Sequence, residues 1–182
     1  MSDTPAVAPR TVTIAAIVVN WHDWPKTLAA VASLTASESR MPDTGRVGVA
    51  VQVVVVDNES TPPVPDLPPG VELLCSPTNR GYAGGNNAGI RHMLARDPAP
   101  DAIAIINNDA VVAPDMLAEL ATYLGQHPDV GVAAPVLMAP DGATPPAAGR
   151  GASGVSRAMA RRRPARGGST LPLARPCWCP GP

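Results

Sequence analysis

Three short polar clusters, each placed directly after an apolar run, contain the residues best suited to binding or chemistry. They are Asn20-Trp21-His22, Asp57-Asn58 and Asn107-Asn108-Asp109. A carboxylate such as Asp57 can accept hydrogen bonds from a nucleoside. A hard divalent cation, Mg²⁺ or Mn²⁺, would take oxygen ligands such as Asp109 together with phosphate oxygens. Each cluster taken alone also fits an ordinary turn or helix cap.

The densest motif of the chain is a run rich in glycine and asparagine at residues 79–89, Asn-Arg-Gly-Tyr-Ala-Gly-Gly-Asn-Asn-Ala-Gly. Its glycines allow the backbone to approach a ligand closely, and amides at a helix start favour phosphate. Arg80 adds a positive charge. The spacing is neither that of the dinucleotide fingerprint nor that of the P-loop. A tight turn with a helix cap is the alternative interpretation.

The elements that must position these residues follow from the apolar patterns. Short β-branched runs without clear alternation are typical of parallel strands covered on both faces. They predict strands at residues 12–19, 51–56, 71–75, 102–106 and 130–136. Helices between them complete an α/β fold with a largely parallel sheet and right-handed crossovers. Such sheets bind ligands beyond the carboxyl ends of their strands, where the polar clusters lie.

Helix starts are predicted at Asp23-Pro25 and at Pro114. A second helix, after the glycine-rich run, is expected to bury the face that carries Ile90, Met93 and Leu94. The stripe of the third helix consists of Leu117, Leu120, Ala121 and Leu124. We expect Trp21 and Trp24 to pack rather than to stack on a base, and His22 to lie at the surface or to cap an element.

Composition suits one globular domain, since 45% of the 182 residues are apolar. No apolar run approaches the roughly 18–20 residues of a membrane span, and Met1–Arg10 has no apolar signal core. We therefore expect a cytoplasmic protein, with a peripheral contact at the inner face of the cell membrane left open.

Charge divides the chain near residue 142. All 15 acidic residues lie at or before Asp141, whereas seven of the 14 Lys and Arg lie between Arg150 and Arg175. The predicted regions are a flexible N-terminus at 1–11, a folded ligand-binding region at 12–142 and an Arg/Pro/Gly-rich tail at 143–182. A disordered basic tail and an out-of-frame translation product are the two alternatives for the last region.

Four segments together resemble, in this order, the inverting family 2 glycosyltransferases. They are Ile17–Asn20, Val56–Ser60, Asn79–Ile90 and Ile106–Asp109. The closest resemblance, over about residues 12–140, is to the rhamnosyltransferase-like branch of bacterial polysaccharide and cell-wall assembly. It implies a GT-A fold, in which a Rossmann-like nucleotide-binding half precedes an acceptor-binding half. The resemblance covers the first half only and therefore implies a truncated copy.

The resemblance also assigns residues to a UDP- or dTDP-sugar donor. Asp57 matches the residue that contacts the base or ribose, and Asp109 matches the last Asp of the metal-binding D-x-D motif, with Asn107 in place of the first. The remaining donor-contacting positions are Asn79, Arg80, Gly84, Gly85, Asn86 and Asn108.

The family's reaction displaces the nucleoside diphosphate with inversion, and it needs a carboxylate base and a positive group at the leaving diphosphate. The resemblance places that base well downstream of Asp109, where this chain has no Asp or Glu beyond Asp141. The catalytic base is therefore unassigned.

The implied function is transfer of a sugar to a polysaccharide or cell-wall glycan, free or lipid-linked, by an incomplete copy with little activity. A non-catalytic remnant that at most binds nucleotide is the alternative. Nucleic acid is not an expected partner, because the basic tail lacks interleaved aromatic residues.

Overall fold

The computed structural model describes residues 11–37, 47–60, 64–138 and 155–158. Four parallel strands form the main sheet: β1 (Thr11–Asn20), β2 (Gly48–Asn58), β3 (Glu72–Ser76) and β4 (Ala102–Asn107). Their order is β3-β2-β1-β4, so the chain returns to the other side of β1 after β3. The three helices are α1 (Trp24–Ser37), α2 (Gly81–Leu94) and α3 (Met116–Gln126). The predicted α/β fold with a parallel sheet is confirmed.

Both faces of the central strands are covered, which explains why their sequences lack alternation. On β1, Ile14, Ala16 and Val18 pack towards α1 and α3. The intervening Ala15, Ile17 and Val19 belong to a second cluster with Met93 of α2. The middle of such a strand is apolar on both sides, because neither face meets water there.

Two glycines allow α2 to lie close against β1. A Cβ atom added at Gly85 would approach Val19 Cγ1 to 2.8 Å, and one added at Gly89 would approach Ile17 Cγ2 to 2.6 Å. The face of α2 that meets the sheet therefore runs through Gly85, Gly89 and Met93. The prediction that Leu94 shares this face is wrong, since its side chain is 54% exposed. Leu94 follows Met93 directly and is therefore turned away from the sheet by about 100°.

We expect Gly89→Ala to lower the free energy of unfolding by about 1–3 kcal/mol, because the added methyl group overpacks the contact with Ile17. Urea unfolding followed by circular dichroism measures this change. Gly125→Ala in α3 is the matched control, since a Cβ atom there meets nothing within 4 Å. It should stabilise the protein by up to about 1 kcal/mol. An equal effect of the two substitutions would contradict close packing at Gly89.

The C-terminal part of the described chain differs from the expectation. The predicted fifth strand forms as β5 (Val132–Pro135), and it pairs in an antiparallel manner with β6 (Val155–Ala158). The β6 strand lies inside the segment 143–182, for which composition predicts no regular structure. The pairing of β5 with β6 uses backbone hydrogen bonds, so the pattern of side chains in the sequence does not predict it.

Candidate functional site

The carboxyl ends of β1, β2 and β4 lie side by side in register. Asn20 is paired with Asp57, and Val19 is paired with Asn107. The predicted polar clusters therefore meet at one edge of the sheet, as expected for an α/β ligand site. Within the described residues, a chain of hydrogen bonds then connects all four segments that carry the family resemblance.

Asn20 is the centre of the first part of this network. Its side chain is fully buried, and its amide nitrogen donates to Asp57 Oδ1 at 3.1 Å and to Ser60 Oγ at 2.8 Å. The hydroxyl of Thr27, on the first turns of α1, donates to Asn20 Oδ1 at 2.7 Å. The Asn108 amide completes the link to β4 by donating to Thr27 Oγ1 at 3.3 Å.

Asn58 links the end of β2 to the glycine-rich run. Its amide nitrogen donates to Asn79 Oδ1 at 2.8 Å, and its Oδ1 accepts from the Arg80 backbone amide at 3.0 Å. Glu59 adds a second link, because its carboxylate accepts from the Asn79 amide at 2.9 Å. These bonds hold the backbone of Asn79 and Arg80 directly before the start of α2.

Tyr82 closes the ring of contacts. Its hydroxyl donates to Asn107 Oδ1 at 2.5 Å, which joins the first turn of α2 to the end of β4. The hydrogen bonds therefore run from β1 to β2, then to α2, to β4, and back to β1 through Thr27. We call this closed series of contacts the tip ring; its side chains are Asn20, Thr27, Asp57, Asn58, Asn79, Tyr82, Asn107 and Asn108.

Two residues at this edge adopt a backbone conformation that is uncommon for residues other than glycine. The φ angle is 55° at His22 and 66° at Glu59. The amide of His22 donates to Ser60 Oγ at 3.0 Å, and the amide of Glu59 donates to the Ser76 carbonyl at 3.1 Å. Left-handed residues of this kind concentrate at functional sites, where the surrounding contacts maintain them.

Three predicted positions of the glycine-rich run, Gly84, Gly85 and Asn86, have a packing role in α2. Gly85 and Asn86 are buried in α2, and Gly84 leaves space for the stem of Arg80, whose Cβ would lie 2.5 Å from an added Cβ. Asn86 donates to the Tyr82 carbonyl at 2.9 Å, but its buried Oδ1 has no hydrogen-bond partner among the described residues. A buried acceptor of this kind usually binds a water or ligand. Ligand contacts at Gly84, Gly85 and Asn86 remain predictions.

The chemistry of Asp109 decides how a divalent cation would fit. Among the residues that the structure describes, no group of three or more His, Cys, Asp or Glu side chains could hold a metal ion. Asp109 is exposed at the end of β4, and Mg²⁺ commonly takes one or two protein carboxylates together with substrate phosphates. A single exposed carboxylate would fit a cation that also takes phosphate oxygens, and a cation site at Asp109 remains a prediction.

Lys26 is a charged residue at the start of α1 that sequence analysis did not single out. Its ammonium group lies 2.8 Å from the Asp23 carboxylate, which also caps the start of α1. The hydrogen bond with Asp23, and in smaller part the charge of Asp109, raise the pKa of Lys26 above its ordinary value. Lys26 therefore carries a positive charge directly after the turn that follows β1.

Trp21 and Trp24 differ in their environment. Trp24 is partly buried against the core on the α1 face, as predicted. The expectation that Trp21 packs is wrong, because the residue is 57% exposed directly after Asn20. Its ring has an edge-to-face contact with His22, at 5.2 Å between the ring centroids.

Comparison with known proteins identifies the family. Residues 16–167 match the family described as Glycosyl transferase family 2, a range that extends past the composition boundary near residue 142. A crystal structure of S. aureus TarS 1-349 is similar with a TM-score of 0.46 and 16% identity, over 70% of this chain. The chain spans 42% of the length of that solved chain. No curated protein matches this sequence.

No helix among the described residues is long and apolar enough to cross a membrane.

The family match covers most of the chain and includes all the residues of the tip ring. The chain therefore belongs to glycosyltransferase family 2, and its parallel sheet with helices on both faces is the Rossmann-like part of a GT-A fold.

Proposed function

We propose that this chain carries the donor-binding part of a glycosyltransferase that transfers a sugar from a nucleoside-diphosphate donor to a polysaccharide or cell-wall glycan. One observation carries the proposal: the tip ring joins four separate polar segments at the edge where α/β sheets bind ligands. Ordinary turns would not need hydrogen bonds that connect three strands and two helices.

The nucleoside is assigned to the β2 side of the tip ring. Asp57 is 5% exposed, and its bond from Asn20 fixes the carboxylate, so that it can accept hydrogen bonds from ribose or base. The exposed Trp21 ring lies on the same edge and offers an aromatic face to a planar base.

The diphosphate is assigned to the space between the start of α2 and the end of β4. Arg80 precedes the first turn of α2, whose amides and positive dipole end favour anions. Asn79 directly precedes Arg80 and Asn108 directly precedes Asp109, and Asp109 would share Mg²⁺ or Mn²⁺ with the phosphate oxygens. The cation would act there as a Lewis acid that stabilises the departing diphosphate.

The donor is expected to be a UDP- or dTDP-sugar, and the transfer to follow the rhamnosyltransferase-like branch. The acceptor is proposed to be a glycan, free or lipid-linked, which would bring the protein to the cytoplasmic face of the membrane. These finer assignments rest on the four motif segments.

Nucleotide binding without sugar transfer is a second candidate. It is supported by the distribution of carboxylates, since all acidic residues lie at or before Asp141 and none of them matches the family's base. Release of UDP from a UDP-sugar in the presence of acceptor distinguishes transfer from binding alone.

A thermal-shift titration with UDP and dTDP tests the donor site. A ligand at about a hundred times its Kd stabilises a protein by about 2.7 kcal/mol, which raises the Tm of a domain of this size by several degrees. We expect a saturable shift that Mn²⁺ increases. Asp109→Ala should abolish the Mn²⁺ increment.

Asp66→Ala serves as the control, because it removes an exposed carboxylate from the loop between β2 and β3. It should leave the shift unchanged. The absence of a shift with both nucleotides, with or without Mn²⁺, would contradict the proposed function.

A further inference from the structure

The hydroxyl of Thr27 is buried between Asn20, at the end of β1, and Asn108, directly after the end of β4. Thr27 is 0% exposed. Its Oγ1 donates to Asn20 Oδ1 at 2.7 Å and accepts from Asn108 Nδ2 at 3.3 Å. The same oxygen lies 2.9 Å from the Asp23 carbonyl, the usual partner of a helical threonine.

A hydroxyl group has a single hydrogen, so Thr27 cannot donate fully to both carbonyl oxygens. The shorter distance to Asn20 favours the side-chain partner. With this bond in place, the Asn20 amide has its oxygen and both N–H groups engaged, since its nitrogen donates to Asp57 and Ser60. The orientation of Asn20, and with it that of the Asp57 carboxylate, is then fixed.

The Asn108 bond extends this arrangement to the β4 side. Asn108 lies beside Asp109, and its amide is held by the same Thr27 oxygen. One hydroxyl on α1 thus contacts the nucleoside side and the metal side of the proposed site. Because Asn20 and Asn108 share the Thr27 hydroxyl, rotation of either amide group would break its own hydrogen bond and disturb the hydroxyl that the other amide contacts.

We propose that Thr27 is a positioning residue with two effects. Through Asn20 it orients the Asp57 carboxylate for contact with the nucleoside. Through Asn108 it holds the loop that carries Asp109 in place beside that carboxylate. This inference rests on the proposed function, because it concerns the same nucleotide site. Thr27 itself is buried and acts through its neighbours.

The experiment measures Kd for UDP with Mn²⁺ by isothermal titration calorimetry, at a temperature where each variant is fully folded. Thr27→Val removes the hydroxyl at nearly constant volume. Because the bonds lost are of ordinary strength, we expect Kd to rise about fivefold. Thr27→Ser keeps the hydroxyl and should restore Kd to within about twofold of the wild type.

Thr35→Val is the matched control. Thr35 lies on the same helix, and among the described residues its hydroxyl bonds to the Val31 and Ala32 carbonyls of that helix. It should leave Kd unchanged even if it lowers stability. Equal Kd changes for the two valine variants would indicate a general effect of α1 and would overturn the proposal.

A double-mutant comparison tests whether Thr27 acts through Asp57. In an Asp57→Asn background, Thr27→Val should change Kd by clearly less than about fivefold, because one of the two groups that it positions is altered already and only the route through Asn108 remains. The full fivefold loss in that background would contradict the proposed route. If Thr27→Val does not fold, Thr27→Ala replaces it, and failure of both to fold would mark Thr27 as structural and overturn the inference.

The two proposals fail in different ways. If the wild-type protein binds neither UDP nor dTDP, the proposed function is wrong. If the wild type binds UDP and Thr27→Val binds it equally well, only the positioning role is wrong.

Discussion

Replacement of Asp57 by asparagine is expected to weaken UDP binding by roughly tenfold to a hundredfold, the loss that follows from removing hydrogen bonds to a charged acceptor. The substitution keeps the shape of the side chain and an Oδ1 that can still accept from Asn20. The buried position should therefore stay filled and bonded. The loss of affinity then reports on the carboxylate's contact with the nucleoside.

Calorimetric titration of the two proteins with UDP and Mn²⁺ measures this effect. Asp66→Asn is the control for the change of charge, because Asp66 is exposed in the loop between β2 and β3. The far-ultraviolet circular dichroism of both variants should match the wild type. An Asp57→Asn protein that binds UDP as tightly as the wild type would remove Asp57 from the proposed site.

Asn20→Leu is expected to lower the free energy of unfolding by about 2–4 kcal/mol. Leucine has the same branched shape as asparagine, with methyl groups in place of the amide oxygen and nitrogen, so no cavity forms. It removes the buried donor to the Asp57 carboxylate, and an unsatisfied buried group costs about 1–3 kcal/mol, more when it is charged. Thr27 can still donate to the Asp23 carbonyl. Urea unfolding gives the value.

Asn87→Leu is the matched control for Asn20→Leu, because Asn87 is an exposed residue of α2. A surface substitution of this kind should change stability by less than about 0.5 kcal/mol. A loss below about 1 kcal/mol for Asn20→Leu would show that the tip ring contributes little to the fold.

The sheet could be predicted from the sequence because burial on both faces demands unbroken apolar runs. Residues 12–19, 51–56 and 102–106 satisfy that demand, and each lies inside a strand of the structure. The start of α1 was equally predictable, since Asp23 accepts from the Lys26 amide as a helix cap.

The packing face of α2 could not be predicted as well. Glycine contributes no side chain to an apolar pattern, so the stripe through Gly85 and Gly89 has no hydrophobic signal. Ile90, Met93 and Leu94 have helical spacing, but the geometry of closest approach to Ile17 and Val19 selects which of them is buried. The exposed Leu94 is the result.

The composition of the site was predictable, whereas its connections were not. The rule that ligands bind at the carboxyl ends of strands places Asp57 and Asp109 at one edge. The contacts of Asn20 with Asp57, and of Tyr82 with Asn107, depend on strand order and register, which no local spacing specifies. Thr27 enters the site through the packing of α1 beside the end of β1, which brings its hydroxyl to Asn20 and Asn108.

A crystal structure of the protein with UDP and Mn²⁺ tests the central claim most directly. We predict that the nucleotide lies across the carboxyl ends of β1, β2 and β4, with Asp57 in hydrogen-bond contact with the nucleoside and Mn²⁺ between Asp109 and the phosphates. Nucleotide bound away from this edge, with the tip ring undisturbed, would contradict the account.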